Sequence, residues 1–168
     1  MKQLSRKQGA GSDVNGFRLE DFLPYQLSVA SNRVSRLFAK RYSEAFGLSI
    51  PEWRVVAVVG RFGTLSPSAV GEATAMDKVK VSRAAASLVS RGMLKQSPDP
   101  LDGRGRKLSL TRKGLTVYQG VVPLARELEA NLAEGLSRTE WAALQKAVSR
   151  LSAHVRAIGG TDTDSGID

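Results

Sequence analysis

The chain contains no cysteine. Disulfides, thiolate zinc sites and cysteine-based redox sensing are thereby excluded. A single histidine, His154, disfavours a zinc or copper sensor built from clustered ligands. No run is long and apolar enough to span a membrane. The basic N-terminus lacks the apolar core of a signal peptide. There is no nucleophile elbow, no phosphate loop and no convincing pair of carboxylates. With one His and no Cys, few side chains remain for acid–base work, so an enzyme is not expected, and neither is a cofactor. The expected place is the cytoplasm, which in a bacterium means beside the nucleoid, and no membrane partner is expected.

What is abundant is positive charge in one place. The 168 residues carry a formal net charge of +9 with ordinary apolar content, which fits one domain or one domain with helical extensions. Between Met76 and Gly114 stand ten Lys and Arg against three acids, a surplus of seven within that +9. A basic patch confined to one segment is the electrostatic footprint of a polyanion site, although charge runs are more often plain solvated surface.

The same segment has a recognisable plan. Ser66 is a good N-cap with Pro67 behind it, and Ala69, Val70 and Ala73 give the helix that follows a small apolar face. Ala75-Met76 makes a corner, and Asp77 caps a second helix running to about Arg91. There Val81, Ala84, Ala85 and Leu88 fall at helical spacing and face inward, leaving Lys78, Lys80, Ser82, Arg83 and Ser87 outside. Short donors and cations on the second of two tightly joined helices suit a helix that reads the major groove. Gly92 stops that helix. Two short strand-like runs, Met93 to Ser97 and Lys107 to Thr111, then bracket a turn-rich loop tipped with arginines. Helix, turn, helix and basic hairpin together make a winged helix.

Taken in order, Met76-Asp77-Lys78, Val81-Ser82-Arg83-Ala84, Asp102-Gly103-Arg104 and Leu108-Ser109-Leu110-Thr111-Arg112-Lys113-Gly114 resemble the MarR-type transcriptional regulators, the multiple antibiotic resistance regulator family. The resemblance extends from about Phe22 to Ile158. It implies that Arg104 enters the minor groove and that Asp102 helps hold the wing. The wing departs from the family pattern at Gly103, where another basic residue is common. From the residues themselves, Arg83 is the expected base reader, since its planar fork matches the two acceptors of guanine. Lys78, Lys80, Arg106 and Lys107 are expected at phosphates, with Ser82 and Ser87 beside them. Ser66 and Ser68 offer further phosphate bonds, or Ser66 is a cap only.

The flanks read as helices that pair. Residues 1–16 are a polar, disordered arm, and 159–168 a disordered acidic tail. Leu23 to Phe46 is one long helix, the core of an N-terminal dimerisation segment at 17–48. The next helix, Ser49 to Phe62, opens with a Ser49/Glu52 capping box and begins a winged helix-turn-helix domain at 49–111. C-terminal dimerisation helices occupy 112–158. The first runs to about Glu134 with Pro123 inside it, and the second opens on a Ser137/Glu140 capping box. In the second, Trp141, Leu144, Val148, Leu151, Val155 and Ile158 alternate spacings of three and four, a heptad seam that must bury itself against something. The expected fold is mainly α with a small β-hairpin wing, a winged helix-turn-helix between N- and C-terminal dimerisation helices.

Two reading helices related by a two-fold axis imply a homodimer on pseudo-palindromic double-stranded DNA, with half-sites about one helical turn apart. The resemblance adds repression as the commoner behaviour, and release by a small aromatic acid, phenol or thioester. For that effector an organic anion fits best, with Tyr25, Ser28, Asn32, Trp53 and His154 able to supply an aromatic wall and polar contacts. Four of them have a plainer reading: Trp53 as core, His154 as structural, Ser28 and Asn32 as a solvated face. The competing function is a winged-helix module that docks protein, or binds nucleic acid without specificity and without an effector.

Overall fold

The computed structural model describes residues 16–100 and 105–159. The expected terminal arm and tail fall almost wholly outside the described residues, as do Asp102 and Arg104 at the wing tip. The elements run α1 (Leu23–Phe46), α2 (Ile50–Phe62), α3 (Pro67–Thr74), α4 (Lys78–Ser90), β1 (Leu94–Pro98), β2 (Arg106–Leu110), α5 (Arg112–Ala133) and α6 (Arg138–Gly159), with a single 3-10 turn, Leu19–Asp21, ahead of α1. Two compact units result, residues 1–50 and 51–168, the second holding the winged helix together with α5 and α6.

In the first unit, α1 ends at Gly47, and Tyr42 and Leu48 are buried. Phe38 meets the Tyr42 ring edge-on at 6.2 Å. Much of the rest of its apolar surface is open, from Phe17 and Leu23 to Leu37.

In the second unit, the core gathers under the reading segment: Val55, Val56 and Val59 of α2, Val70 of α3, Val81 and Leu88 of α4, and Leu94 and Leu108 of the hairpin are all buried. The cap residues work as their chemistry predicts. Ser66 accepts from the Ala69 amide at 3.1 Å, Asp77 from Lys80 at 2.8 Å, and Thr111 from Gly114 at 3.1 Å. Ser137 and Glu140 exchange bonds reciprocally at the start of α6. Ala73 is exposed, so Val70 alone carries the buried face of α3. The α3–α4 corner is tight because Ala75 takes a left-handed φ of 53°.

The strands pair antiparallel with Leu94 opposite Leu110 and Pro98 opposite Arg106, one residue away from the expected bounds. Leu65, which nothing in the sequence pattern singled out, adds a short third rung: its amide and carbonyl both bond to Leu108, at 3.0 and 2.7 Å. The end of α4 is then clasped to the start of α5. The Thr111 hydroxyl donates to the Gly92 carbonyl at 2.7 Å, and the Lys113 ammonium to the Arg91 carbonyl at 2.9 Å. Gly114 makes this possible, because a Cβ there would lie 2.0 Å from the Met93 carbonyl oxygen. The Leu-Thr-Arg-Lys-Gly run is thus a set of contacts to the α4–β1 turn.

Candidate nucleic-acid interface

The outward face of α4 is built by its helical period. With the inward positions 81, 84, 85 and 88 buried, Lys78, Val79, Lys80, Ser82, Arg83 and Ala86 remain exposed. The capping carboxylate of Asp77 also pairs with the Lys80 ammonium at 2.8 Å, an exposed contact within one turn. Hydrogen bonds from the Lys80 side chain and amide hold the Asp77 carboxyl below its ordinary value. Hence this acid remains an anion at neutral pH, and Lys80 offsets it.

Ser87 leaves the expected set. It sits on the flank of α4, where its hydroxyl donates to Oε1 of Glu52 at 2.5 Å. Arg91 reaches the same oxygen at 3.3 Å. Glu52 is only 7% exposed, and a buried carboxylate needs donors, so it draws in a hydroxyl that the helix period leaves on a border. Beyond the capping role its position in α2 suggests, Glu52 ties α2 to the reading helix. Sequence alone hid this, because an acid in a first helical turn reads as a local cap.

The hairpin shows a second correction. Lys107 does not stand out toward solvent; its ammonium lies 2.9 Å from Asp99 Oδ2, with the two side chains 29% and 14% exposed. The Asp99 amide also donates to the Gly105 carbonyl at 2.9 Å. Along β2, Arg106 is exposed, Lys107 is half-buried and Leu108 is buried, so the ammonium stays close against the hairpin. Among the described residues, Asp99 is the acid that ties this hairpin. Nothing in its turn-rich setting distinguished it beforehand.

Between α4 and the hairpin runs a groove of about 490 Å³, bordered by Lys78, Ser82 and Ala86 on one side and Gln96 and Leu108 on the other. Pro67, next to the Ser66 cap, closes one end. Ser68, outside it, is 3.4 Å from Glu72 on its own helix. The reading face and the hairpin therefore border one concavity.

The expected effector residues are distributed over two units. Tyr25, Ser28 and Asn32, spaced three and four apart, share a face of α1, and all three are exposed. Asn32 lines a depression of about 300 Å³ with Val29, Ser35, Arg36 and Ile50. Arg36 borders it with its cation. Trp53 is half-buried in α2 with the Arg54 guanidinium 5.9 Å from its ring, and His154 is exposed on α6. Of the α6 seam only Trp141 is half-buried; Leu144, Val148, Leu151, Val155 and Ile158 are 39–54% exposed. Among the described residues there is no cluster of His, Asp or Glu able to hold a metal, and no helix is long and apolar enough to cross a membrane.

Known proteins share this architecture. A sequence model of the MarR family matches residues 46–105. The HTH-type transcriptional repressor IacR of Pseudomonas putida is 25% identical over 124 residues, 74% of either chain. The crystal structure of a probable transcriptional regulator from Pseudomonas aeruginosa is 30% identical, covers 80% of this chain and 99% of its own, and superposes with a TM-score of 0.71. BpsR of Bordetella bronchiseptica, whose DNA binding is regulated by 6-hydroxynicotinic acid, is 24% identical over 81% of this chain and 96% of its own, with a TM-score of 0.74.

Proposed function

The chain belongs to the MarR family, whose members are transcriptional regulators and not enzymes, and we propose that it is a repressor binding a specific double-stranded operator as a homodimer. One observation carries this reading: the outer face of the capped helix α4, with Lys78 and Ser82, lines a single groove with Gln96 and Leu108 of the hairpin, and Lys80 and Arg83 stand exposed on the same helix. Lys78, Lys80 and Arg106 neutralise phosphates, Ser66, Ser68 and Ser82 add hydrogen bonds, and Arg83 reads a base pair. Arg104 keeps the minor-groove role, and Asp102 the wing-holding role, that the resemblance implies. Ser87 and Lys107 act instead by holding α4 and the hairpin in place, through Glu52 and Asp99.

The α6 seam supports the homodimer. Its side chains follow a heptad pattern yet none is buried within one chain, and a second copy supplies the missing cover. Two reading helices then meet a pseudo-palindrome. The protein acts in the cytoplasm, on chromosomal DNA.

Release follows from a small organic anion, most simply an aromatic acid. The α1 depression supports this chemistry, with the Arg36 cation, the Asn32 amide and apolar Val29 and Ile50 around it. The relative BpsR, which answers to a hydroxylated pyridine carboxylic acid, supports the same class. Tyr25 and Ser28 extend that face of α1. Such a ligand acts by favouring the dimer whose reading helices are wrongly spaced for DNA.

Anisotropy titration of the full chain against duplexes selected from a random pool tests the reading. A specific operator and a steep loss of affinity with salt are expected. Equal affinity for every sequence, or no salt dependence, leaves the docking or non-specific module in its place. Calorimetric titration with aromatic carboxylates tests the effector; no heat from any of them, with operator binding intact, overturns that part alone.

A further inference from the structure

Val79 is the most exposed of the large apolar residues on α4, and core packing does not explain it. It is 58% exposed on the first turn of the reading helix, whereas Val81, two positions on, is 1% exposed. β-branching gives it no helical advantage at a surface position. Isolated exposed apolar residues are common, but Val79 is not isolated in its setting. Residues 79, 82, 83 and 86 recur at helical spacing on the outer face, and all four are exposed. Three of them, Val79, Ser82 and Ala86, are short. Lys78 and Lys80 stand about 100° to either side of Val79, and Arg83 lies one turn further along.

The face is therefore a low floor with cationic edges. Its edges suit phosphates, and its floor lets the helix approach base edges closely. In the major groove one feature on those edges is apolar, the C5-methyl of thymine. We propose that Val79 is a specificity-determining residue that packs on a thymine methyl, giving each half-site a fixed T. This rests on the DNA-reading function proposed above and adds a base preference that Arg83, a reader of guanine, does not supply.

The full-length protein is used to select duplexes from a random pool, and each thymine of the selected half-site is then replaced in turn by deoxyuridine. That exchange removes the methyl group and leaves the pairing edge unchanged. One symmetric position is expected to weaken wild-type binding about fourfold per half-site, the worth of one buried methyl group. Val79→Ala, which favours the helix more than valine does, is expected to bind both duplexes alike. Val79→Ile, which keeps an apolar tip, retains the sensitivity. Wild-type binding unaffected by deoxyuridine at every position, or Val79→Ala as sensitive as wild type, overturns the assignment. A pool that yields no preferred sequence overturns the sequence-reading function first and this inference with it. A preferred sequence without methyl sensitivity overturns this inference alone.

Discussion

The winged helix and α6 belong to one compact unit, but they treat apolar side chains in opposite ways. Val55, Val56, Leu88 and Leu108 are 0% exposed, whereas α6 buries no residue and leaves Val148 and Ile158 about half open at 48% and 54%. Both stretches obey a helical or strand period, so the difference is not one of pattern. It lies in what the period faces. The winged helix closes on itself through caps, the Leu65 rung and the Glu52 tie, and its reading face is shaped before DNA arrives. The α6 face has no such closure, and its apolar side chains stay open. Closure of the reading head and openness of the α6 seam are thus separate properties, written in different helices.

Substitutions can break that contrast. The largest effect is expected from Leu108→Ala, which empties the point where the hairpin, Leu65 and the core meet; urea unfolding should show a loss of about 2–5 kcal/mol. Leu151→Glu should place like charges across the α6 pairing and cost several kcal/mol of association, read as monomer by analytical ultracentrifugation, with the helical spectrum kept. A dimer that survives Leu151→Glu would remove α6 from the interface. Gly114→Ala should destabilise by about 1–3 kcal/mol, because the Met93 carbonyl occupies the space of the new Cβ; thermal melting checks it. Glu52→Ala strips Ser87 and Arg91 of their shared acceptor, and roughly 1–2 kcal/mol is expected from the lost buried bonds, with operator affinity falling further than stability alone explains.

The smallest effect concerns acid. Hydrogen bonds from Lys80 lower the Asp77 carboxyl, and hydrogen bonds from Ser137 lower that of Glu140. Groups lowered in the fold stabilise it above the ordinary carboxylate value, and that contribution is lost as pH falls through the lowered value. Hydrogen exchange should therefore show the first turns of α4 and α6 opening in mild acid while the core stays protected. Protection unchanged through that range would mean that the caps contribute nothing.

Most of the fold was legible because its signals are local. Ser66, Asp77, Thr111 and Ser137 each cap with atoms three residues away, so their spacing is visible along the chain. What stayed hidden depends on residues far apart in sequence. Ser87 and Lys107 both look like surface donors by period, and each is turned by an acid in another part of the chain: Glu52, 35 residues earlier, and Asp99 across the hairpin. Leu65 was invisible for the same reason, since a single residue has no period. Val79 was missed differently, because exposure of one apolar side chain can be seen only once the inward face is fixed.

The clasp between Arg91, Gly92, Thr111 and Lys113 has a mechanical consequence. It joins the foot of α5 to the heel of α4 by two hydrogen bonds, which favour their moving together. A few degrees of tilt at that joint would sweep the far end of the 22-residue α5 through a long arc. Conversely, a displacement of α5 has a direct path to α4 through the same two bonds, as along a short crank.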